Sequence, residues 1–441
     1  MGFVRKVLFT YLVRLLLIPL GLLSSVIVAR WLGPAGQGIF ATLSAYVATA
    51  GMLGSLGLSP AITRAVAADR ERAGAMLANA RVLGLATGAA CIAGLLLVWV
   101  ALPGAFDGVP AWLLLLAASA LPFNLTASQF QAVLVGLDRV RQYNLVDALE
   151  RGLLLASAVT LLVILDLGVA ELVAGTTVIA AVKLATYHVQ LGPLARRMRP
   201  DLALMGSLRG ISSRAYVASL LAFLVLRSDI MLVHGMLGAR HTGVYSIAVQ
   251  ITTLMLVLPS AIGTLLVPRI AATGRAEGAA FTARLCRHAV WIVTLGCLAI
   301  GAAGSWLVAN LYGPEYLGAV ICIWILLPGV WCMSLQLILA HDLAGRDYPA
   351  FLTAVWLVLL AVNVGLNLVW IPRHGIAGAA ASSSVAYTLA LLLVARYWLR
   401  RFPEIRLRQL LMLDAGELRS LPGRLRRGLF PSLRRDGQAA R

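Results

Sequence analysis

The chain has 441 residues, of which 60% are hydrophobic and 12% are charged, and its mean hydropathy is +0.89. A soluble domain carries about 25% charged residues, so this composition excludes an ordinary soluble protein and indicates one that lies mainly in lipid. The net charge of +19 does not indicate a nucleic-acid partner, because such proteins concentrate basic residues in a soluble domain. The five cysteines lack CxxC spacing and predict neither a disulfide framework nor a metal site.

Hydropathy predicts an all-α polytopic protein with about twelve transmembrane helices, each crossing the bilayer with about 20 apolar residues. The predicted spans are 8–29, 38–62, 79–102, 111–135, 144–165, 170–192, 213–235, 242–267, 286–311, 316–340, 349–371 and 376–399. They divide six and six. The predicted organisation is an N-terminal lobe (1–192), a cytoplasmic linker (193–212), a C-terminal lobe (213–399) and a basic amphipathic tail (400–441).

The second half of the chain repeats the first about 205 residues later. Residues 32–40 read Leu-Gly, four residues, Gly, a β-branched residue and an aromatic residue, and residues 237–245 repeat that pattern. Each copy holds six spans, so the two copies have the same orientation and are related by an axis along the membrane normal. Many transporters are built from such repeats around a central site.

The basic residues orient the predicted helices. About 30 of the 37 lysines and arginines fall in the terminal segments and alternate loops, which places both termini in the cytoplasm by the positive-inside rule. The loops on the other side are short and leave no room for an extracytoplasmic catalytic domain. In the tail, leucines alternate with arginines, which favours a segment resting on anionic lipid. Docking of cytoplasmic partner enzymes and disorder are the alternatives.

Charged residues within the predicted helices are candidates for a polar cavity, because a charge at the bilayer centre costs about 2.5–3.5 kcal/mol. Arg227 and Asp229 lie near the middle of helix seven and point in different directions. Functionally, Arg227 would bind an anionic substrate and Asp229 would titrate or anchor it. Alternatively, one or both are structural and have a partner on helix eight or ten.

Further intramembrane charges have competing interpretations. Arg14 lies before the helix-kinking Pro19, and either faces a cavity or extends to the lipid headgroups. Lys183, near the middle of helix six, either binds substrate or joins an ion pair between helices. Asp147 and Arg151 are four residues apart, which favours a local salt bridge near the membrane surface.

Prolines and one acidic residue complete the candidates. The repeat-related Pro122 and Pro328 are predicted to kink helices four and ten, either for bending or as fixed kinks that shape the packing. Asp342, at the inner end of helix ten, is expected at the membrane interface.

Three segments of the sequence resemble a known family. Residues 29–45 are similar to the start of polysaccharide-biosynthesis flippases, the Wzx-type lipid-linked oligosaccharide translocases of the MOP superfamily. Residues 228–248 and 310–316 are similar to its seventh-helix segment and to its short loop after helix nine. The resemblance implies a V-shaped pair of six-helix lobes with a cavity lined by helices one, two, seven and eight. It also implies alternating access, in which the cavity opens to one side of the membrane at a time.

By that resemblance, the cavity charges are Arg14, Arg227 and Asp229, with Arg30 and Arg64 at the ends of these helices as further candidates. The implied function is flipping of an undecaprenyl-diphosphate-linked oligosaccharide across the bacterial cytoplasmic (inner) membrane. The product would be O-antigen, capsule or exopolysaccharide. The twelve spans and few cavity arginines depart from the lipid II flippases, which argues against a peptidoglycan role.

Several alternatives and accessory expectations accompany this function. No cofactor is expected, and H⁺ or Na⁺ coupling would act through Asp229. We expect a monomer with polysaccharide polymerase or assembly proteins as candidate partners. The first alternative is a MATE-type drug or metabolite antiporter, whose cavity should be net acidic. A membrane glycosyltransferase or polymerase would need a large outer loop, and a pure scaffold would not require charges at membrane depth.

Overall fold

The computed structural model describes residues 3–195, 200–201, 216–347 and 350–412. Within these ranges the chain is helical apart from short connections, and they contain no β-strand. The side chains of residues 3–16 lie outside the described part, so Arg14 is placed only by its helix. The predicted tail lies outside the described residues from position 413 onward.

The helices form two lobes that correspond to the two sequence repeats. The N-terminal lobe contains α1 (Phe3–Gly54), α2 (Leu58–Ala68), α3 (Ala73–Ala101), α4 (Ala111–Ala118), α5 (Leu121–Gly136), α6 (Val140–Ala158) and α7 (Val169–Ala195). The C-terminal lobe contains α8 (216–225), α9 (Ser228–Thr253), α10 (Val257–Ala271), α11 (Arg275–Leu307), α12 (Ala319–Arg346), α13 (Ala350–Arg401) and α14 (Leu407–Leu411). Short π-helical turns, Val159–Ile164 and Val308–Tyr312, extend α6 and α11.

Three long helices are broken at a glycine with positive φ. Gly33 in α1, Gly238 in α9 and Gly375 in α13 have φ of 64°, 78° and 60°. This left-handed conformation favours glycine because glycine has no Cβ. All three glycines fall between predicted spans, and Gly33 and Gly238 occupy equivalent positions of the repeat. Each long helix is therefore two segments that meet at a glycine.

The described helices contain eight stretches long and apolar enough to cross a membrane. Every predicted span overlaps one of these stretches except 144–165, which lies in α6 and carries three charges. The all-α, multi-pass architecture is thus confirmed. The number of crossings and the side on which each terminus lies stay predictions.

The three prolines expected to bend helices have different surroundings. Pro122 lies at the start of α5, and residues 119–120 separate α5 from α4 within one predicted span. Its repeat partner Pro328 lies inside α12, where the helix continues through it. Pro19 likewise lies within α1, whose only non-helical residue is Gly33. A role for these prolines as hinges stays a prediction.

Candidate functional site

A cavity of about 930 Å³ lies between the two lobes. Its walls come from α1, α8, α9 and α10, and most of them are apolar. Within the described part of the chain, Arg227 is the one charged residue in that lining, and the neutral polar residues include Gln37, Ser246 and Gln250. The cavity therefore offers one positive charge in otherwise weakly polar surroundings.

Repeat-equivalent residues face one another across this cavity. Position 223 corresponds to position 18 in the first copy, position 246 to 41, and position 249 to 44. All of these pairs line the cavity: Ile18 and Phe223, Ala41 and Ser246, and Ser44 and Val249. The axis that relates the two copies therefore passes through the cavity, and the site belongs to both lobes.

Arg227 lies at a break that hydropathy did not predict. α8 ends at residue 225 and α9 begins at Ser228, so residues 226–227 form a turn within the predicted span 213–235. Arg227 precedes the first residue of α9, and its side chain is exposed in the cavity. Its guanidinium makes no hydrogen bond or ion pair with the described residues, so its donors are free for a ligand.

Asp229 points away from the cavity and is buried in the C-terminal lobe. Its carboxylate accepts hydrogen bonds from the Tyr245 hydroxyl at 2.6 Å, the Ile230 backbone N–H at 2.8 Å and the Ser383 hydroxyl at 3.3 Å. It also lies in the first turn of α9, where the helix dipole favours a negative charge. These contacts explain how a carboxylate is tolerated at this depth.

The surroundings of Asp229 extend into a buried polar cluster between α9 and α13. The Asn363 side chain donates to Ser383 at 3.4 Å and accepts from Ser228 at 3.3 Å. The Asn367 amide donates to Asn363 at 3.1 Å. No group of three or more His, Cys, Asp or Glu side chains with metal-binding geometry occurs in the described ranges. The cluster thus combines a single carboxylate with neutral oxygens.

A second cavity of about 560 Å³ adjoins the first on the α6 side. The two share Ile18 and Gln250, and the second adds Tyr143, Asp147 and Arg151. We call this space the α6 branch. It contains charges that the sequence placed in a local salt bridge near the membrane surface.

That interpretation of Asp147 and Arg151 is wrong. No salt bridge joins the two side chains in the described structure. The Arg151 guanidinium instead extends across to α1, where its Nη1 lies 3.4 Å from the position that a Cβ on Gly21 would occupy. Arg151 is exposed in the branch, beside Gly21 within α1. The spacing along α6 could not show that the arginine extends toward another helix.

Lys183 has an ion-pair partner within its own lobe. Its Nζ lies 2.8 Å from a carboxylate oxygen of Glu150, which joins α7 to α6. Lys183 does not line either of the two cavities. The structure therefore brings Arg227 to the cavity and leaves Lys183 in a contact between helices.

Two further candidate arginines lie away from the cavity lining. The Arg30 guanidinium donates to the backbone carbonyl of Leu311 at 2.7 Å and to that of Asn310, which joins the first lobe to the second. Arg64 is exposed on α2. Neither lines the two cavities, although their roles in transport stay predictions.

The lobes contact each other closely where the two repeat motifs meet. A Cβ on Gly38 would lie 1.8 Å from the Ala239 carbonyl oxygen, and a Cβ on Gly243 would lie 1.9 Å from the Pro34 carbonyl oxygen. Only glycine permits these reciprocal backbone contacts. We call this end of the molecule the glycine end, and the predicted orientation places it outside the cytoplasm.

Hydrogen bonds between the lobes reinforce the glycine end. Gln37 donates to Ser246 at 3.2 Å, and Ser25 donates to Gln250 at 2.8 Å. The Tyr316 hydroxyl donates to the Ala29 carbonyl at 2.8 Å. The cavity is therefore closed on this side.

The opposite end of the C-terminal lobe contains a second buried carboxylate. Asp342 accepts hydrogen bonds from Thr282 and the Trp398 indole, both at 2.7 Å, and forms a salt bridge with Arg346 at 3.1 Å. Asp342 is fully buried in the protein, so three donors from α11, α12 and α13 replace the water that an exposed carboxylate would use. Its expected position at the membrane interface stays a prediction.

A profile of the family described as "Polysaccharide biosynthesis protein" matches residues 3–273. This chain belongs to that family. The match covers the first lobe, the linker and the cavity-lining helices of the second lobe. No curated protein matches the chain significantly.

Solved structures show the fold of this family member. The lipid II flippase MurJ in an inward closed conformation has a TM-score of 0.74 at 10% identity, covering 91% of this chain and 89% of that one. An inward-facing multidrug resistance MATE family transporter of the MOP superfamily has a TM-score of 0.68 at 16% identity, with 87% and 94% coverage. An outward-facing one has a TM-score of 0.58 at 15% identity, with 91% and 94% coverage.

These similarities identify the fold as that of the MOP superfamily, as the sequence predicted. The family member is therefore a multi-pass membrane protein with the fold of these transporters. The chain has a higher TM-score to the inward-facing structure than to the outward-facing one. This agrees with the lobe contacts at the glycine end.

Proposed function

We propose that this protein flips a polyprenyl-diphosphate-linked oligosaccharide, with undecaprenyl as the expected lipid, to the outer leaflet of the bacterial cytoplasmic membrane. The observation that carries the proposal is the cavity between the lobes, whose one charged lining residue in the described structure is Arg227. Membership of the polysaccharide biosynthesis family supports the glycan as cargo. The surface polysaccharide would be O-antigen, capsule or exopolysaccharide.

The cavity chemistry suits a diphosphate carried on a lipid. A guanidinium presents several fixed donors that match phosphate oxygens. The apolar walls around Arg227 strengthen that attraction, because they lower the local dielectric constant. With the cell interior negative, each negative charge moved outward gains about 2.3 kcal/mol per 100 mV. The polyprenyl tail can stay in the bilayer while the glycan occupies the cavity.

The proposed mechanism is alternating access, in which the lobes separate and rejoin at the glycine end. In this structure the glycine end is closed, and the cavity lies on the far side of that closure. We propose that substrate enters in this state and leaves after the lobes separate at the glycine end. Pro19, Pro122 and Pro328 are the proposed points of bending, and Arg14, Arg30, Arg64 and Lys183 remain proposed contributors to substrate binding along the path.

Coupling to H⁺ or Na⁺ is proposed at Asp229. Its carboxylate is surrounded by oxygen atoms of Tyr245 and Ser383, and carboxylates with neutral oxygens suit hard cations. Because Asp229 lies behind the cavity wall, ion binding would act through the packing of α9 on α13. No cofactor is part of this proposal.

A MATE-type antiporter of drugs or metabolites is the second candidate. The observation in its favour is the similarity to a multidrug resistance MATE family transporter, with a TM-score of 0.68. A cationic drug would need an acidic cavity, whereas the main cavity here is lined by an arginine. The charge of the site therefore favours an anionic substrate.

A reconstituted flipping assay tests the proposal. Purified protein in liposomes is given lipid-linked oligosaccharide extracted from a strain lacking the gene, and the fraction reaching the opposite leaflet is measured. The wild-type protein should flip this lipid, and Arg227→Gln should slow it about 10–100-fold, the loss expected for one charge-assisted contact. Arg240→Gln, at an exposed position outside both cavities, is the matched control.

The same strain supplies the cellular test. Loss of the gene should deplete surface polysaccharide and accumulate the lipid-linked intermediate on the cytoplasmic side. Normal surface glycan together with altered drug tolerance would replace the flippase proposal with the antiporter. Anionic lipid bound at the basic tail and contact with polymerase or assembly proteins are proposed accessory interactions, and a monomer is the proposed functional unit.

A further inference from the structure

The α6 branch differs in chemistry from the main cavity. It is lined by a carboxylate, a guanidinium and a phenol from α6, namely Asp147, Arg151 and Tyr143, and it includes Gln250 from the other lobe. The main cavity, although larger, has a single charged residue in its described lining. The two spaces share walls, so one bound molecule can extend from one into the other.

The charges of the branch are open to a polar occupant. Asp147 is half-buried and Arg151 is exposed, and no salt bridge joins them among the described residues. On another face of the same helix, Glu150 lies 2.8 Å from Lys183 and forms an ion pair. Unlike that pair, Asp147 and Arg151 are available to water or to a hydroxylated ligand.

Packing positions one of these charges. Gly21 on α1 has no side chain, and the Arg151 Nη1 lies 3.4 Å from the point where its Cβ would be. A side chain larger than that of alanine at position 21 would compete with the guanidinium for this space. The arginine thus reaches toward α1 rather than along its own helix.

The pair belongs to one lobe only. The positions equivalent to Asp147 and Arg151 in the second copy are Leu352 and Trp356, which are buried in the core of the C-terminal lobe. The pair is therefore not part of what the two copies share, and the branch differs in chemistry from the corresponding region of the C-terminal lobe.

Sugar hydroxyls match this set of groups. A hydroxyl both donates and accepts, a carboxylate only accepts, and a guanidinium only donates, so together they satisfy neighbouring hydroxyls of one ring. The net charge of the pair is zero, which makes it a poor second phosphate site. A few convergent polar groups at the edge of an apolar cavity are the usual basis of ligand specificity.

We propose that the α6 branch is a sugar-recognition subsite, in which Asp147 and Arg151 select the glycan next to the diphosphate that Arg227 holds. This inference rests on the proposed flippase function. It divides the site by chemistry, with the anionic linkage in the main cavity and neutral, hydroxylated rings in the branch. Specificity for the glycan then resides in the N-terminal lobe.

A competition experiment separates the two subsites. Binding of fluorescent lipid-linked oligosaccharide to the full-length protein in nanodiscs is measured against two competitors, namely the same unlabelled lipid and undecaprenyl diphosphate without sugar. Asp147→Asn and Arg151→Gln should weaken the glycan-bearing lipid at least tenfold and change the sugar-free lipid less than twofold. Arg227→Gln should weaken both.

Two controls keep the result interpretable. Asp166→Asn makes the same chemical change at an exposed position beyond the end of α6 and should leave both affinities unchanged. Arg151→Lys keeps the charge but not the planar fork, so it should retain the fold and still lose glycan affinity.

The outcomes distinguish this inference from the proposed function. If the branch variants weaken both lipids equally, or neither, the sugar subsite is wrong while the flippase proposal stands. The same holds if they alter only the dependence of transport on a H⁺ or Na⁺ gradient. If the wild-type protein binds neither lipid, the flippase proposal itself fails.

Discussion

The two lobes have the same fold but treat their intramembrane charges differently. The C-terminal lobe buries Asp229 and Asp342, and each carboxylate receives at least three hydrogen bonds. The N-terminal lobe leaves Asp147 and Arg151 open to a cavity. The helix arrangement is therefore the same in both lobes, while the carboxylates differ: Asp229 and Asp342 are hydrogen-bonded within the C-terminal lobe, and Asp147 of the N-terminal lobe is open to a cavity.

The largest expected loss of stability is at Asp229, the buried carboxylate of the C-terminal lobe. Asp229→Ala leaves the Tyr245 and Ser383 hydroxyls and the Ile230 N–H without their acceptor, and each buried unpaired donor costs about 1–3 kcal/mol. We expect about 3–5 kcal/mol loss of stability, measured by thermal unfolding in detergent. Asp147→Ala, the matched change in the other lobe, should cost less than about 0.5 kcal/mol.

Equal losses for the two alanine variants would remove the distinction between the lobes. A second variant separates a loss of function from a loss of folding. Asp229→Asn keeps an acceptor for Tyr245 and should recover most of the stability. If it folds but loses the response of transport to an ion gradient, Asp229 has the proposed coupling role.

The next largest loss of stability is expected at the contact between the lobes at the glycine end. Gly38→Ala and Gly243→Ala each add a methyl group that overlaps a carbonyl oxygen of the other lobe, and overpacking of this kind costs about 1–3 kcal/mol. Because the contact is reciprocal, the two variants should have similar effects. Gly94→Ala and Gly365→Ala, where a Cβ meets nothing within 4 Å, are the controls.

A disulfide reports on the same contact. With the native cysteines replaced, Gln37→Cys and Ser246→Cys place thiols where a hydrogen bond of 3.2 Å now joins the lobes. Oxidation should cross-link them in the parent and should do so much less after Gly38→Ala. Unchanged cross-linking would show that the lobes accommodate the methyl group without separating.

A smaller effect is expected at the ion pair of the N-terminal lobe. Lys183→Met and Glu150→Gln each break a contact whose side chains are 18% and 23% exposed. A double-mutant cycle on thermal stability should give a coupling of about 1 kcal/mol, above a surface pair and below a fully buried one. Transport by a stable Lys183→Met variant would remove Lys183 from the substrate path.

An effect of similar size is expected at a contact between the lobes away from the glycine end. The Tyr216 hydroxyl donates to the Leu53 carbonyl at 2.9 Å and to the Met52 carbonyl at 3.2 Å. Tyr216→Phe removes these bonds and should cost about 0.5–1.5 kcal/mol. If transport accelerates as stability falls, this contact restrains the movement of the lobes.

The sequence predicted the helices and the repeat because hydropathy and short motifs depend on residues that are close together in the chain. Apolar runs gave the helices, and the Leu-Gly motifs marked both the repeat and the breaks at Gly33 and Gly238. Arg227 was a cavity candidate because a charge at that depth requires a polar environment. The structure places Arg227 in the cavity lining, as the sequence suggested.

Other parts depended on packing between distant segments. Spacing made Asp147 and Arg151 look like a pair, but Gly21 on another helix lets the arginine extend away from its neighbour. The burial of Asp342 could not be predicted because donors such as Trp398 come from helices far away in sequence. The turn at Arg227 was hidden because the sequence is apolar up to Leu226 and again from Ile230 onward, so hydropathy gives one continuous span.

The reciprocal contact of Gly38 and Gly243 joins the backbones of the two copies. A side chain added to either copy meets the backbone of the other, so neither motif can change while its counterpart stays fixed. At Leu22 and Arg227, which only line the space between the lobes, no such mutual restriction applies. The sequence repeat is thus preserved where the two copies are in contact, and is lost at positions such as Leu22 and Arg227 that have different functions in the two lobes.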